Sequence, residues 1–341
     1  MRRRLTAAVL AALTGLALAA CGGAGGGDAS GEVRLAVGGQ PLLVYLPTTL
    51  AAQLGYYREE GLNVHLEDLQ GGSKALQALQ GGSVDVVSGY YDHTIQMQAK
   101  NRDVVAFVNM LRYPSLVVAV SPKSSKPINS VADLKGTKVG VTAPGSSTDF
   151  YLKYLLVRAG LAPTDAAPQA VGGDTSAVAA MESGQVDAAV MLDPAFAQLQ
   201  KRVGAENVRV LSDTRTAEGV QRDLNVSTYP AAVLYSDAAW LRDNPETARK
   251  LAKAIKRALD YVHSHSGAEI AAAMPPQYAA GDPAIYATAI ENAKAAISPD
   301  GRIDVAGAQA VYGVLKQFNP EIAAATIDIN KTFTNDYLPP G

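Results

Sequence analysis

Two short stretches carry the residue types best suited to hold a small solute: Gly71-Gly72-Ser73 and Gly145-Ser146-Ser147-Thr148. Each precedes a segment with apolar residues at helical spacing, Leu76 and Leu79 after the first and a run to Ala159 after the second. The first N–H groups of a helix have no intrahelical partners, and the helix dipole is positive at that end. A small carboxylate, sulfonate or nitrate docks on such groups directly. Gly72 lets the backbone come close, and the hydroxyls of Ser73, Ser146, Ser147 and Thr148 add hydrogen-bond donors. Plain helix capping uses the same serines, and the two roles can coexist.

Other candidates lie near strand ends. Gly89 and Tyr90 follow an apolar run, Val84 to Val87. The carboxyl end of a strand is where open α/β sheets hold ligands. Tyr90 is therefore expected to stack on or hydrogen-bond the solute, while Tyr91 packs into the core and His93 is structural. Arg112 follows a strand over Val104 to Met110, and its planar guanidinium suits an anion or, equally, a hinge salt bridge. Tyr45, in the first strand-to-helix loop, closes the pocket in this reading. Asp193 either meets a ligand amine or caps the helix that starts at Pro194. Tyr229 stands beside an expected chain crossing.

Catalysis finds little here. The sequence holds no HExxH, no GxSxG and no phosphate-binding loop with lysine. His65, His93, His263 and His265 show no metal-ligand spacing, and the one cysteine, Cys21, allows no intrachain disulfide. The expectation is a non-enzyme with no cofactor and no metal. A net charge of −2 gives no general basic surface for nucleic acid.

The elements that must position these groups alternate. Strand signals at Val33–Val37, Asn63–Leu66 and Val84–Val87 are separated by helical segments. Further strands are expected at Val104–Met110, Leu116–Val120, Lys138–Val141, Val186–Met191, Val208–Leu211 and Ala231–Tyr235. This βαβ alternation predicts an α/β fold with mostly parallel sheets. A weak repeat supports two similar lobes: Gly71-Gly72-Ser73 before Val84-Asp85-Val86-Val87, and Gly172-Gly173-Asp174 before Val186-Asp187-Ala188-Ala189-Val190. The C-terminal third is helical, with Ala248, Leu251, Ala252, Ile255, Leu259 and Val262 on one stripe.

The start of the chain reads as an export signal. Arg2, Arg3 and Arg4 precede an apolar run to Ala20 that is short for a membrane span. Leu18-Ala19-Ala20-Cys21 looks like a bacterial lipobox, in which the cysteine is lipidated and becomes the new N-terminus. The expected organisation is a signal peptide over 1–20 and a lipidated, Gly-rich tether over 21–31. Lobe 1 then takes 32–120 and 228–341, and lobe 2 takes 121–227, with chain crossings near Ser115–Pro122 and Asn225–Ala231.

Several blocks carry a family likeness. Leu54-Gly55-Tyr56-Tyr57-Arg58-Glu59-Glu60-Gly61-Leu62-Asn63-Val64 resembles a block of the nitrate/sulfonate/taurine-type periplasmic binding proteins. That broad family also includes binders of thiamine pyrimidine precursors. Gly71-Gly72-Ser73, Asp133-Leu134-Lys135-Gly136, Val139-Gly140-Val141 and Gly145-Ser146-Ser147 match its later blocks in order. The resemblance implies a type II binding-protein fold with a ligand cleft between two lobes. It implies an extracytoplasmic monomer, held at the bacterial membrane by lipid, that delivers its solute to an ABC permease and ATPase. A small organic anion is the first expectation for the solute, with Arg112 as charge partner. A neutral or aromatic heterocycle, such as a pyrimidine precursor or other vitamin, is the second, held by tyrosine faces. A non-transport sensor with the same fold is the remaining alternative.

Overall fold

The computed structural model describes residues 32–340. The expected signal peptide, Cys21 and the tether lie outside the described residues. Ten strands form two five-stranded sheets. The first contains β1 (Glu32–Val37), β2 (Asn63–Asp68), β3 (Val86–Tyr90), β4 (Val104–Asn109) and β10 (Ala232–Asp237), in the order β2-β1-β3-β10-β4. The second contains β5 (Val117–Val120), β6 (Lys138–Val141), β7 (Ala167–Ala170), β8 (Ala188–Met191) and β9 (Val210–Asp213), in the order β7-β6-β8-β5-β9.

The two sheets repeat one plan. In each, three parallel strands come from a strand–helix–strand–helix–strand unit. The helix before the third strand is Gly72–Gln80 in one lobe and Thr175–Ser183 in the other, which realises the Gly-Gly repeat seen in the sequence. The fourth strand of each sheet runs antiparallel to its neighbours: β10 in the first, β5 in the second. Each is the strand by which the chain enters that lobe from the other. Val117–Val120, expected at the end of lobe 1, therefore belongs to the second sheet, and the first crossing precedes it. Nothing local to Val-Val-Ala-Val states which sheet will hydrogen-bond it.

The crossing segments lie side by side. Tyr229 N donates to the Arg112 carbonyl at 3.0 Å, and Ala231 N to the Leu111 carbonyl at 2.9 Å. β7 carried no strand signal, because Ala-Pro-Gln-Ala neither alternates nor is rich in branched residues. It sits at a sheet edge, where Pro168 costs no ladder hydrogen bond on its free side.

Apolar burial is continuous from the first sheet across to the helix Ser147–Arg158, with a separate cluster on the other side of the second sheet around Val178, Met181 and Phe196. The C-terminal helix Val305–Phe318 joins the first cluster, and Phe318 meets Phe150 of the second lobe at 5.9 Å between ring centroids.

One glycine fixes the helix beside β9. A Cβ on Gly219 would stand 1.9 Å from the Asp213 carbonyl oxygen. Relief requires backbone movement, so Gly219→Ala is expected to cost about 1–3 kcal/mol. Urea unfolding followed by circular dichroism checks this; an unchanged midpoint would show that the helix Ala217–Leu224 moves freely against β9.

Candidate functional site

The two Gly-Ser loops end up facing each other. The first leads from β2 into the helix Gly72–Gln80, the second from β6 into the helix Ser147–Arg158. Ser73 N donates to Ser146 Oγ at 2.9 Å, and Ser146 Oγ donates to Ser73 Oγ at 3.2 Å. Close approach explains the glycine at 72, since a Cβ there would lie 3.0 Å from His93 Cε1. Gly145 has a φ of +80°, in the left-handed region that favours glycine. Thr148 turns back to its own loop, where its Oγ1 accepts from Thr142 N at 3.0 Å.

Ser147 makes the contact that the sequence reading missed. Its Oγ donates to Asp92 Oδ1 across the cleft at 2.8 Å. Asp92 is the first residue of the helix Asp92–Ala99, directly after β3, and is only 3% exposed. Its carboxylate therefore lies at the positive ends of two helices, its own and Ser147–Arg158. Burial pushes its pKa upward; the neighbouring His93 and the Ser147 hydroxyl pull the other way. Among the described residues, Asp92 makes no salt bridge. The chain itself thus supplies the anion that the second helix start was expected to take from solution.

Two adjoining cavities flank this contact. One, with about 10 Å³ open to a water-sized sphere, is walled by Tyr90, Asp92, Ser147, Phe150, Tyr151 and Tyr229, with Phe318 and Leu315 from the C-terminal helix. The other, also with about 10 Å³ open to a water-sized sphere, is walled by Tyr45, Gly72, Tyr90, Ser146, Ser147 and Thr148. Tyr90 and Ser147 border both. The Tyr90 hydroxyl is fixed by donating to the Pro114 carbonyl at 2.6 Å, and Tyr45 meets its ring edge-on at 6.2 Å. Asp92 is the one charged side chain on either wall among the described residues.

The remaining expected residues lie elsewhere. Ser73 is engaged with Ser146 and walls neither cavity. Gly89 is a packing glycine inside β3, where a Cβ would stand 2.8 Å from the Tyr235 ring. Arg112 is exposed on the first crossing; its Nε donates to the Ala295 carbonyl at 3.0 Å and its guanidinium lies over Tyr113. It reaches neither cavity, so it is not placed to pair with an anion there. Asp193 is buried beside a different, wider groove with about 270 Å³ open to a water-sized sphere. There its Oδ2 accepts from Arg215 at 3.0 Å and its Oδ1 accepts from Ala197 N at 3.2 Å, so it is both ion-paired and a helix cap. Arg215 is held again by Asp213, so three of its five N–H groups are engaged with the two carboxylates.

His93 is fully buried where the lobes touch. Its Nδ1 lies 3.2 Å from the Tyr235 hydroxyl, and Phe150 of the second lobe meets its ring edge-on. Nε2 has no hydrogen-bond partner, although the Gly145 carbonyl is near enough to favour its protonation. Burial dominates and pushes the pKa below the usual 6.5.

Known proteins share this architecture. A sequence model for the family described as NMT1/THI5 like matches residues 44–268. A solved structure from Bordetella bronchiseptica RB50 is 41% identical, with a TM-score of 0.85 over 90% of this chain and 95% of that one. The alkanesulfonate-binding protein SsuA from Xanthomonas axonopodis pv. citri, solved bound to MOPS, is 18% identical, with a TM-score of 0.70 over 89% of this chain and 98% of that one. At that identity the likeness concerns the fold, and it bears out the two-lobed periplasmic-binding-protein architecture. A 4-amino-5-hydroxymethyl-2-methylpyrimidine phosphate synthase from Aspergillus parasiticus is 28% identical over 228 residues, which is 64% of this chain and 63% of that protein. The chain therefore spans less than two thirds of the length of such curated relatives.

The buried histidine gives a pH dependence with a definite sign. A folded-state pKa below the unfolded value means that the stability from neutral His93 is complete above about pH 6.5 and is lost as pH falls. Urea midpoints measured from pH 7 to pH 5 should fall less steeply in His93→Gln than in the natural chain. The difference is at most about 1.4 kcal/mol per pH unit, the value for one proton. Equal slopes would mean that His93 protonates in place.

Proposed function

We propose that this chain, which belongs to the NMT1/THI5-like family, is the extracytoplasmic solute-binding component of an ABC importer. It closes two lobes around a small ring-bearing solute and releases that solute, unchanged, to a permease. A lipid on Cys21 holds it at the bacterial membrane, and the Gly-rich segment after it gives the lobes reach. The observation that carries the reading is the cleft itself. Side chains from both lobes and from the C-terminal helix meet around two small adjoining cavities, and hydrogen bonds between the lobes border them. A solute touching both lobes favours the closed state by its extra contacts there.

The lining favours an aromatic heterocycle over a small anion. Tyr45, Tyr90, Tyr151, Tyr229 and Phe150 offer faces and edges for a ring. The anion reading relied on free helix starts and on Arg112. The helix-start serines are engaged with Ser73 and Asp92, and Arg112 lies outside. The pyrimidine named in the fungal relative is an aromatic ring, which supports the heterocycle class. The sulfonate binder shares the fold at an identity too low to pass on its ligand.

A thermal-shift screen of the lipid-free chain tests this, because a ligand that binds only the folded state raises its melting temperature. The panel pairs aminopyrimidines, pyridines and flavin-like vitamins with sulfonates, carboxylates and nitrate. A heterocycle is expected to shift the transition and to be recovered intact after incubation. Tyr90→Ala should weaken its affinity by about tenfold or more. A shift from anions alone would reject the heterocycle class. Chemical conversion of the solute would reject binding without turnover.

A further inference from the structure

We infer that the solute carries a protonated nitrogen that pairs with the Asp92 carboxylate, so that Asp92 sets the charge selectivity of the cleft. The inference rests on the solute-binding reading above and specifies the chemistry of that same site. Four observations converge on it. Asp92 is 3% exposed, yet it forms part of the wall of one cavity, beside Tyr90, Tyr151 and Tyr229. No lysine or arginine lines either cavity. The adjacent His93 is fully buried and, of its ring nitrogens, only Nδ1 has a partner, the neutral Tyr235 hydroxyl. The hydrogen bond that Asp92 receives from Ser147 is neutral and occupies Oδ1.

A buried carboxylate without a cation is an expensive group to keep. The positive ends of two helices offset part of that cost, and the Ser147 hydroxyl offsets more. Neither supplies a full opposite charge. A solute that brings an ammonium, an amidinium-like aminopyrimidine or a protonated ring nitrogen does so. The surrounding tyrosine rings suit such a solute twice over, since their faces attract cations as well as stacking on rings. An anion in the same cavity would meet a like charge within a poorly hydrated space. Ser147 does not cap its helix: it joins the selecting carboxylate to the opposite lobe, so that charge recognition and closure share one hydrogen bond.

Four probes of similar size separate charge from shape: 4-aminopyridinium, benzylammonium, benzyl alcohol and benzoate. Calorimetric titration of the chain at pH 7 should show both cations binding about tenfold or more tightly than benzyl alcohol, with benzoate weakest. Asp92→Asn, which keeps an oxygen for Ser147, should remove that tenfold preference and leave benzyl alcohol nearly unchanged. If Asp92→Asn does not fold, the natural chain still decides: cation affinity should fall as pH is lowered from 7 to 4 and Asp92 becomes protonated, while benzyl alcohol affinity stays level. Benzoate binding as tightly as the cations, or cation affinity that ignores both Asp92→Asn and pH, overturns the proposal. Failure of all four probes overturns it too. The solute-binding reading is judged separately, by the wider heterocycle and anion panel, and it survives if any member of that panel binds.

Discussion

Two helix starts brought face to face must find something negative between them. The helices Gly72–Gln80 and Ser147–Arg158 point their unpaired N–H groups towards one another across the cleft. Like ends of two dipoles repel, and the open N–H groups need acceptors. The chain answers with side-chain oxygens. Ser146 accepts from the Ser73 backbone, and Asp92 accepts from Ser147. Around these bonds, glycine at 72 is required by the nearness of His93, and left-handed backbone at Gly145 brings the second helix in. The tyrosines then wall the space that remains.

The strand order explains why those starts meet at all. In each sheet the parallel strands aim their carboxyl ends at the other lobe, and the loops after β2, β3 and β6 carry the contact residues. The antiparallel fourth strand of each sheet is the chain's own crossing, so the hinge is built into both sheets. The paired crossings at 111–112 and 229–231 give the lobes a narrow double-stranded pivot. The C-terminal helix spans the pivot on one side, where Phe318 rests on Phe150. His93 and Asp92, adjacent in sequence, serve different ends: one is buried as a neutral spacer between the lobes, the other borders the cavity.

Much of this was legible in the residues. The alternation of strands and helices, the Gly-Gly repeat and the position of Tyr90 at the end of β3 all follow from local pattern. Three things did not. The sheet that β5 joins depends on pairing partners distant in sequence, which Val-Val-Ala-Val does not encode. The edge strand β7 exists because β6 offers a ladder, not because Ala-Pro-Gln-Ala prefers one. The partners of the helix-start serines escaped local pattern for a related reason. Free helix starts suggest an anionic guest, and Arg112 follows the strand that ends at Met110. In space, Arg112 turns outward to the Ala295 carbonyl, and Asp92 fills the place of the guest. The pattern Tyr-Tyr-Asp-His after a strand does contain the clue, an acid at the first turn of a helix that opens on the cleft.

What lies against that acid when the lobes are shut decides how the cleft works. The most direct measurement is a crystal structure of the chain purified with the solute it carries from its own cell envelope. The account predicts density in the cleft between Tyr45, Tyr90 and Tyr229, with a nitrogen of the solute at hydrogen-bonding distance from Asp92. Density confined to the groove beside Asp193 and Arg215, or an anionic group seated on the N–H groups of Ser146 and Ser147 with Asp92 turned away, would contradict it.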